Sequence, residues 1–305
     1  MHDSESSAAG GVGVVGFLGL GIMGSRMAAN IAHAGVPLAV WTHTDGKAAT
    51  WASEHGATAL STPAEVAQRS DVVISMVVDG AQVSSVLLGE DGVINAAHPG
   101  LLCVDMSTIG PADTRQIGAA LAEREVRMLD APVTGSSPRA EEGSLTIMVG
   151  GEREEFARVR PVLEIMGGLV AYVGELGQGQ MLKLINNSLG AANAAAVAEA
   201  LLLARATGVD LDAFVEVTSA GSGASTQLTL KAGAMREHDY TTLFKTAHML
   251  KDVRLCLQEA ETAGVPFPAA AHARDMLAAT MARGHAEQDY AALIEAAEGF
   301  AGRTL

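Results

Sequence analysis

The sequence predicts an α/β protein, a doubly wound parallel sheet followed by an all-α second domain. Three observations carry this. From residue 14 to about 174, short β-branched runs alternate with helix-patterned stretches, the order that builds a parallel sheet covered on both faces. The first strand-to-helix junction reads Gly19-Leu20-Gly21-Ile22-Met23-Gly24, a spacing that suits a tight turn against a helix N-terminus. Beyond Gly179 the strand pattern stops and helical stretches follow to the end of the chain.

In chain order, Val14-Val15-Gly16-Phe17-Leu18, Leu38-Ala39-Val40-Trp41, Asp71 to Val77 and Leu101-Leu102-Cys103-Val104-Asp105 are near-continuous apolar runs, as parallel strands buried on both faces must be. Leu145 to Val149 and Leu169 to Val173 extend the sheet. Thr62-Pro63-Ala64-Glu65 marks a helix start, with an N-cap hydroxyl, Pro at the first helical position and Glu at the third. Glu152-Arg153-Glu154-Glu155 opens another, with acidic charge where the helix dipole favours it. Residues 180–207 hold no Pro and a single Gly, Gly190, and are apolar on nearly all sides, predicting a helix of roughly 40 Å buried by other helices. Asp210 to Ala220, Thr241 to Ala263 and Pro268 to Arg283 also read as helix. The expected division is a tail over 1–12, a first domain over 13–177 and a helical domain over 178–305.

Composition bounds the function. The chain has 305 residues, 49% hydrophobic and 18% charged, with 34 Gly, which fits a globular α/β protein and excludes bulk disorder. Lys and Arg number 20 against 35 Asp and Glu, for a net charge of −15. With no basic block to displace counterions, no nucleic-acid partner is expected. Cys103 and Cys256 sit apart in apolar runs, which suits a reducing cytoplasm. The N-terminus lacks a basic region before an unbroken apolar run, so neither a leader nor a membrane partner is expected. The nine His form no HxH or HExxH arrangement, and no metal site is expected.

The chemistry-bearing residues fall into three groups. In Gly19, Leu20, Gly21, Ile22, Met23 and Gly24, the first Gly makes the turn, the second admits a pyrophosphate and the third lets helix pack on strand, the Rossmann-type dinucleotide fingerprint. The end of the second strand reads Trp41-Thr42-His43-Thr44-Asp45-Gly46-Lys47. An acid there would accept from a ribose 2′-hydroxyl and repel a 2′-phosphate. Thr42, His43 and Thr44, with Lys47, suit the phosphate, so NADP(H) is expected to be preferred and NAD(H) possible. Lys183 is the sole Lys or Arg between Arg160 and Arg205, on the most apolar helix of the chain. Burying an ammonium costs several kcal/mol without a partner or a task. Asn187 shares its face at i+4, so the pair can protonate a carbonyl oxygen and orient a substrate. The third group lies in two strand-end loops, Asp105-Met106-Ser107-Thr108 and Asp130 to Ser136. There the hydroxyls of Ser107 and Thr134 and the N–H of Gly135 can grip a carboxylate, since ligands bind at the carboxyl edge of such sheets.

Five ordered stretches resemble the β-hydroxyacid dehydrogenases, the family of 3-hydroxyisobutyrate dehydrogenase and the short semialdehyde reductases. They are Phe17 to Gly24, Val104 to Thr108, Asp130 to Gly135, Gly177-Gln178-Gly179 leading to Lys183-Leu184-Ile185-Asn186-Asn187, and Phe244 followed by Lys251-Asp252. The resemblance covers roughly residues 14–300. It implies hydride transfer between NAD(P) and a short 3- or 4-hydroxy carboxylic acid or its semialdehyde, with Lys183 as acid/base and Asn187 hydrogen-bonding the substrate. It further implies that Thr134 and Gly135 hold the substrate carboxylate, that Thr108, Val77 and Val78 lie along the cofactor, and that Phe244 and Lys251 close over the nicotinamide side. A homodimer or homotetramer formed through the helical domain is also implied. Thr134 stands where the family usually has Ser, and its extra methyl narrows the pocket. Two other activities are compatible with the scaffold. Imine reductases generally replace this Lys, and a non-catalytic dinucleotide-binding module arises when such folds lose it; Lys183 with Asn187 argues against both.

Overall fold

The structure, a computed structural model, describes residues 12–305. Of the expected tail only Val12 falls within it, buried in the core of the first unit; residues 1–11 lie outside the described residues. Two compact units are present, the first ending at Lys183 and the second beginning at Leu184.

The first unit runs β1 (Val15–Leu18), α1 (Ile22–His33), β2 (Leu38–Trp41), α2 (Lys47–His55), β3 (Thr58–Ala59), α3 (Pro63–Gln68), β4 (Val72–Ser75), α4 (Gly80–Leu88), β5 (Leu102–Asp105), α5 (Pro111–Ala122), β6 (Arg127–Asp130), β7 (Val133–Thr134), α6 (Ser136–Glu141), β8 (Leu145–Gly150), α7 (Arg153–Met166) and β9 (Gly167–Gly174). The strands form one sheet in the order β3-β2-β1-β4-β5-β6-β8-β7, with β9 paired to β8. The order reverses between β1 and β4, which makes the carboxyl end of those strands the crevice where ligands bind. Side chains alternate between two cores as the strand period requires. Phe17, Ile74 and Val104 pack into one core, while Leu18, Val73 and Cys103 pack into the other. All four residues of β1, β4 and β5 are buried, as a sheet with helices on both faces demands. The start of α3 is as read from the sequence: the Thr62 hydroxyl accepts from Glu65 N–H at 3.1 Å, while Glu65 Oε2 accepts from Ser61 N–H at 2.8 Å.

The sheet is not wholly parallel. β8 runs antiparallel to β6 and β7. A parallel return needs a long crossover, usually a full helix, and residues 135–144 supply only the six-residue α6, so the chain doubles back. β3 and β7 carry no continuous apolar run that would show them in the sequence, and of β6 only its end, at the Asp130 loop, is legible there.

Helix α8 (Gln178–Thr207) begins in the first unit and continues into the second, which adds α9 (Leu211–Ala220), α10 (Thr226–Glu237), α11 (Thr246–Thr262), α12 (Pro268–Ala282) and α13 (Leu293–Ala301) around a core that includes Ala194, Leu201, Met249 and Leu293. Two expectations are corrected. First, α8 is not covered on all sides: Leu182, Leu189 and Leu203 are 40%, 50% and 66% exposed. They stand on a stripe with Asn186, Asn193 and Glu199 that recurs every three to four residues. By length and composition α8 could cross a membrane, yet 44% of its most apolar window is buried inside the protein. Second, the helix read from Thr241 starts only at Thr246. Asp289 Oδ2 accepts from the N–H groups of Leu243 and Phe244, and Lys245 makes an antiparallel bridge with Asp289. An aspartate more than forty residues away thus takes the donors that would have begun the helix.

Candidate active site

The cofactor cradle is built at the reversal of strand order. Gly19 follows buried β1 at φ 103°, its N–H donates to Trp41 O at 2.8 Å, and a Cβ there would lie 2.3 Å from Met76 O. A Cβ on Gly24 would lie 2.0 Å from Gly19 O, so α1 can approach β1 only without a side chain at that position. At Gly21 a Cβ would meet no atom beyond its own chain neighbours within 4 Å among the described residues, and as N-cap of α1 it supplies no side-chain cap. The helix therefore presents uncapped N–H groups to open space, which fits a pyrophosphate. Ile22 is 65% exposed beside it, whereas the Leu20 side chain is fully buried. Leu20 instead works through its backbone, donating to Thr42 Oγ1 at 3.3 Å. Met23 packs partly into the core, His43 and Thr44 are exposed just beyond the end of β2, and Lys47 is exposed at the start of α2.

A second layer joins the ends of β4, β5 and β6. Ser107 is fully buried; its hydroxyl oxygen accepts from Val77 N–H at 3.0 Å, and its own N–H donates to Asp105 Oδ1 at 3.2 Å. Ser75 Oγ donates to the same oxygen at 2.8 Å, while Asp105 Oδ2 has no hydrogen-bond partner among the described residues. Burial pushes the Asp105 carboxyl up to about 6, against the hydrogen bonds from Ser107 and Ser75 that favour its charge. This network fixes the Val77–Val78 turn and the Ser107–Thr108 loop to each other. Val78 is 50% exposed. Thr134 ends β7 half-buried, paired with Thr146, and Gly135 follows at φ 139°.

Lys183 is 7% exposed, with buried Gln180, Leu184 and Asn187 as its neighbours on α8. Asn187, one turn on and already in the second unit, has its amide fixed within that unit: its Nδ2 donates to Asp252 Oδ2 at 2.7 Å, and its Oδ1 accepts from Asn186 at 3.2 Å. Asp252 is 1% exposed and its Oδ1 lies 3.1 Å from Lys251 Nζ. The carboxylate fixes which way the Asn187 amide faces. Phe244, held by Asp289, lies ahead of α11 rather than on it, and its ring meets that of His248 edge-on with centroids 6.0 Å apart. Burial, with Lys245 and Lys251 nearby, holds the His248 pKa below the ordinary imidazole value.

Sequence reasoning quoted Asp105, Asp130 and Asp252 within their stretches but assigned them no task, and it did not single out Gln180, Lys231 or Asp289. Acids at strand ends were the available signal for the first two; for Gln180 the sequence carries none.

A helix start open to a pyrophosphate at the reversal of strand order is the mark of a dinucleotide-binding fold. Residues 14–174 match the family described as the NAD binding domain of 6-phosphogluconate dehydrogenase, and residues 177–297 the family described as NAD-binding of NADP-dependent 3-hydroxyisobutyrate dehydrogenase. The chain is 37% identical over 291 residues to 2-hydroxy-3-oxopropionate reductase of Escherichia coli, covering 95% of this chain and 99% of that one. The solved Mycobacterium tuberculosis 3-hydroxyisobutyrate dehydrogenase with L-serine superposes with a TM-score of 0.86 at 32% identity, covering 93% of this chain and 99% of that one. The chain belongs to the β-hydroxyacid dehydrogenases and is an NAD(P)-dependent enzyme acting on CH–OH groups. An imine reductase from Bacillus cereus shares the fold, with a TM-score of 0.63 at 23% identity over 93% of this chain and 99% of that one.

Proposed function

We propose that the enzyme interconverts a short 3- or 4-hydroxy carboxylic acid and its semialdehyde, with NADP(H) preferred and NAD(H) accepted. The observation that carries this is Lys183, a 7%-exposed ammonium on an otherwise apolar stretch of α8, followed one turn later by an Asn187 whose amide is fixed by Asp252. When bound, the nicotinamide supplies or accepts the hydride. Lys183 gives its proton to the carbonyl oxygen during reduction and takes it back during oxidation, while Asn187 orients the substrate. The Thr134 hydroxyl and the Gly135 N–H hold the carboxylate, with Ser107, whose oxygen accepts from Val77 N–H, as the third group of that site. Val77, Val78 and Thr108 line the cofactor; Phe244 and Lys251 serve the nicotinamide side. The names of the Escherichia coli and Mycobacterium tuberculosis relatives point the same way, since 2-hydroxy-3-oxopropionate and L-serine are both three-carbon acids with oxygen on C3. The NADP preference rests on Thr42, His43 and Thr44 standing where an acid would exclude the phosphate. The seven-residue spacing of exposed Leu182, Leu189, Ala196 and Leu203 on α8 supports a homodimer or homotetramer through the helical unit; the cysteine usage supports a cytoplasmic location.

The test is steady-state turnover of a panel of two- to five-carbon semialdehydes with NADPH and NADH, for the wild type and Lys183→Ala. Lys183→Ala should lower kcat by at least about 10², the usual share of general acid catalysis, with cofactor affinity nearly unchanged. Near-full turnover by the variant would remove Lys183 from the chemistry.

A further inference from the structure

We infer that Gln180 is a positioning residue that sets Lys183 against the cofactor-side loop; this rests on Lys183 being the acid/base. Gln180 is completely buried, and both ends of its amide are engaged. Nε2 donates to Ser107 O at 2.9 Å and Oε1 accepts from Ile109 N–H at 3.2 Å, so the amide grips the backbone on either side of Thr108. The backbone N–H of Gln180 donates to Asp130 Oδ2 at 2.7 Å, and Gly177 N–H donates to Asp130 Oδ1 at 2.7 Å. Asp130 therefore takes donors at the start of α8 that would otherwise lack partners. It fits there because residue 179 is glycine: a Cβ would lie 2.8 Å from Asp130 Oδ2 and 2.4 Å from Met148 O.

Lys183 lies three residues further along α8, on the same face as Gln180 and less than one turn away. The Ser107 loop is in turn bonded to the Val77 turn. Helix start, loop and turn thus form one frame, and the ammonium is placed relative to the cofactor by the Gln180 amide rather than by its own length. An acid misplaced by about 1 Å costs on the order of 10² in rate.

The full-length enzyme tests this with Gln180→Met, which keeps the stem and loses both hydrogen bonds, and Gln180→Glu, which keeps the acceptor for Ile109. The readouts are kcat, KM for aldehyde and NADPH, the isotope effect from cofactor deuterated at the transferred position, and thermal midpoint. Gln180→Met should lower kcat by about 10- to 100-fold with NADPH KM within about threefold and a larger isotope effect. In a Lys183→Ala background it should add less than about twofold, because residues acting as a unit are not additive. Gln180→Glu should recover toward wild type as pH falls, since only the protonated acid donates to Ser107 O. Unchanged kcat in a folded Gln180→Met, or a loss that multiplies in full with that of Lys183→Ala, overturns the inference and leaves the Lys183 reading standing. Should Gln180→Met fail to fold, a Gln180→Glu enzyme with no recovery at low pH overturns it. Full turnover by Lys183→Ala removes the acid/base reading, and the inference falls with it.

Discussion

Asp105 gives a stability prediction whose size follows from its surroundings. Its carboxyl is fully buried, one oxygen has no hydrogen-bond partner among the described residues, and its pKa stands at about 6 against an ordinary 3.8. Because the folded value is the higher one, the folded state holds the extra proton between these two values, and stability falls as pH rises through that window. About two units at 1.36 kcal/mol each give a loss of roughly 3 kcal/mol, complete above about pH 7. Roughly 2 kcal/mol of it accrues between pH 4.5 and pH 8, where unfolding can be measured. Asp105→Asn stays neutral throughout. Its carbonyl oxygen can still accept from Ser75 Oγ and Ser107 N–H, and its amide nitrogen, placed where Oδ2 now lacks a partner, costs about 1 to 3 kcal/mol at every pH. That constant cost cancels between the two pH values. Urea unfolding of both proteins at pH 4.5 and pH 8 should therefore show the stability difference moving toward the variant by about 2 kcal/mol as pH rises. A difference that does not move with pH, or that moves toward the wild type, would refute the argument that the buried carboxylate is the penalised form.

Three further expectations follow from the same geometry. Wild-type kcat/KM should favour NADPH over NADH about tenfold or more, roughly 1.4 kcal/mol, and Thr42→Asp should reverse that order by restoring a carboxylate that repels the 2′-phosphate; a wild-type preference for NADH would contradict this. Lys231 and Asp289 form a buried pair at 2.7 Å, 4% and 3% exposed, with the ammonium 4.3 Å from the centre of the Tyr290 ring. Lys231→Met should cost about 3 kcal/mol or more in urea unfolding by leaving the Asp289 charge to backbone donors alone, and adding Asp289→Asn should recover part of it. Sedimentation of Leu189→Glu should show a smaller species than wild type if α8 carries the subunit interface, and an unchanged mass would place the interface elsewhere.

The sheet, its fingerprint and the helical second half were legible in the sequence because each leaves a local trace. Buried parallel strands read as unbroken apolar runs, a helix start reads as Thr62-Pro63-Ala64-Glu65, and a glycine triad reads as a close approach. Lys183 was legible by contrast, as a single cation in an apolar stretch. The bonds around it were not, because they join residues far apart in the chain: Gln180 reaches Ser107 and Asp130 reaches Gly177 within the first unit, and Asn187 reaches Asp252 within the second.

The start of α11 and the antiparallel turn of β8 escaped for the same reason. Thr241 to Lys245 has a helical pattern, but Asp289 takes its donors. Arg127–Asp130 is a strand only because β5 lies beside it, with Asp130 in register with Asp105. The sequence by itself determined what pays off locally, namely which segments must be buried, where helices begin and where a pyrophosphate can approach. The tertiary structure alone decided which buried polar group answers which, because a desolvated donor or acceptor takes whatever partner the fold brings within about 3 Å, however distant along the chain.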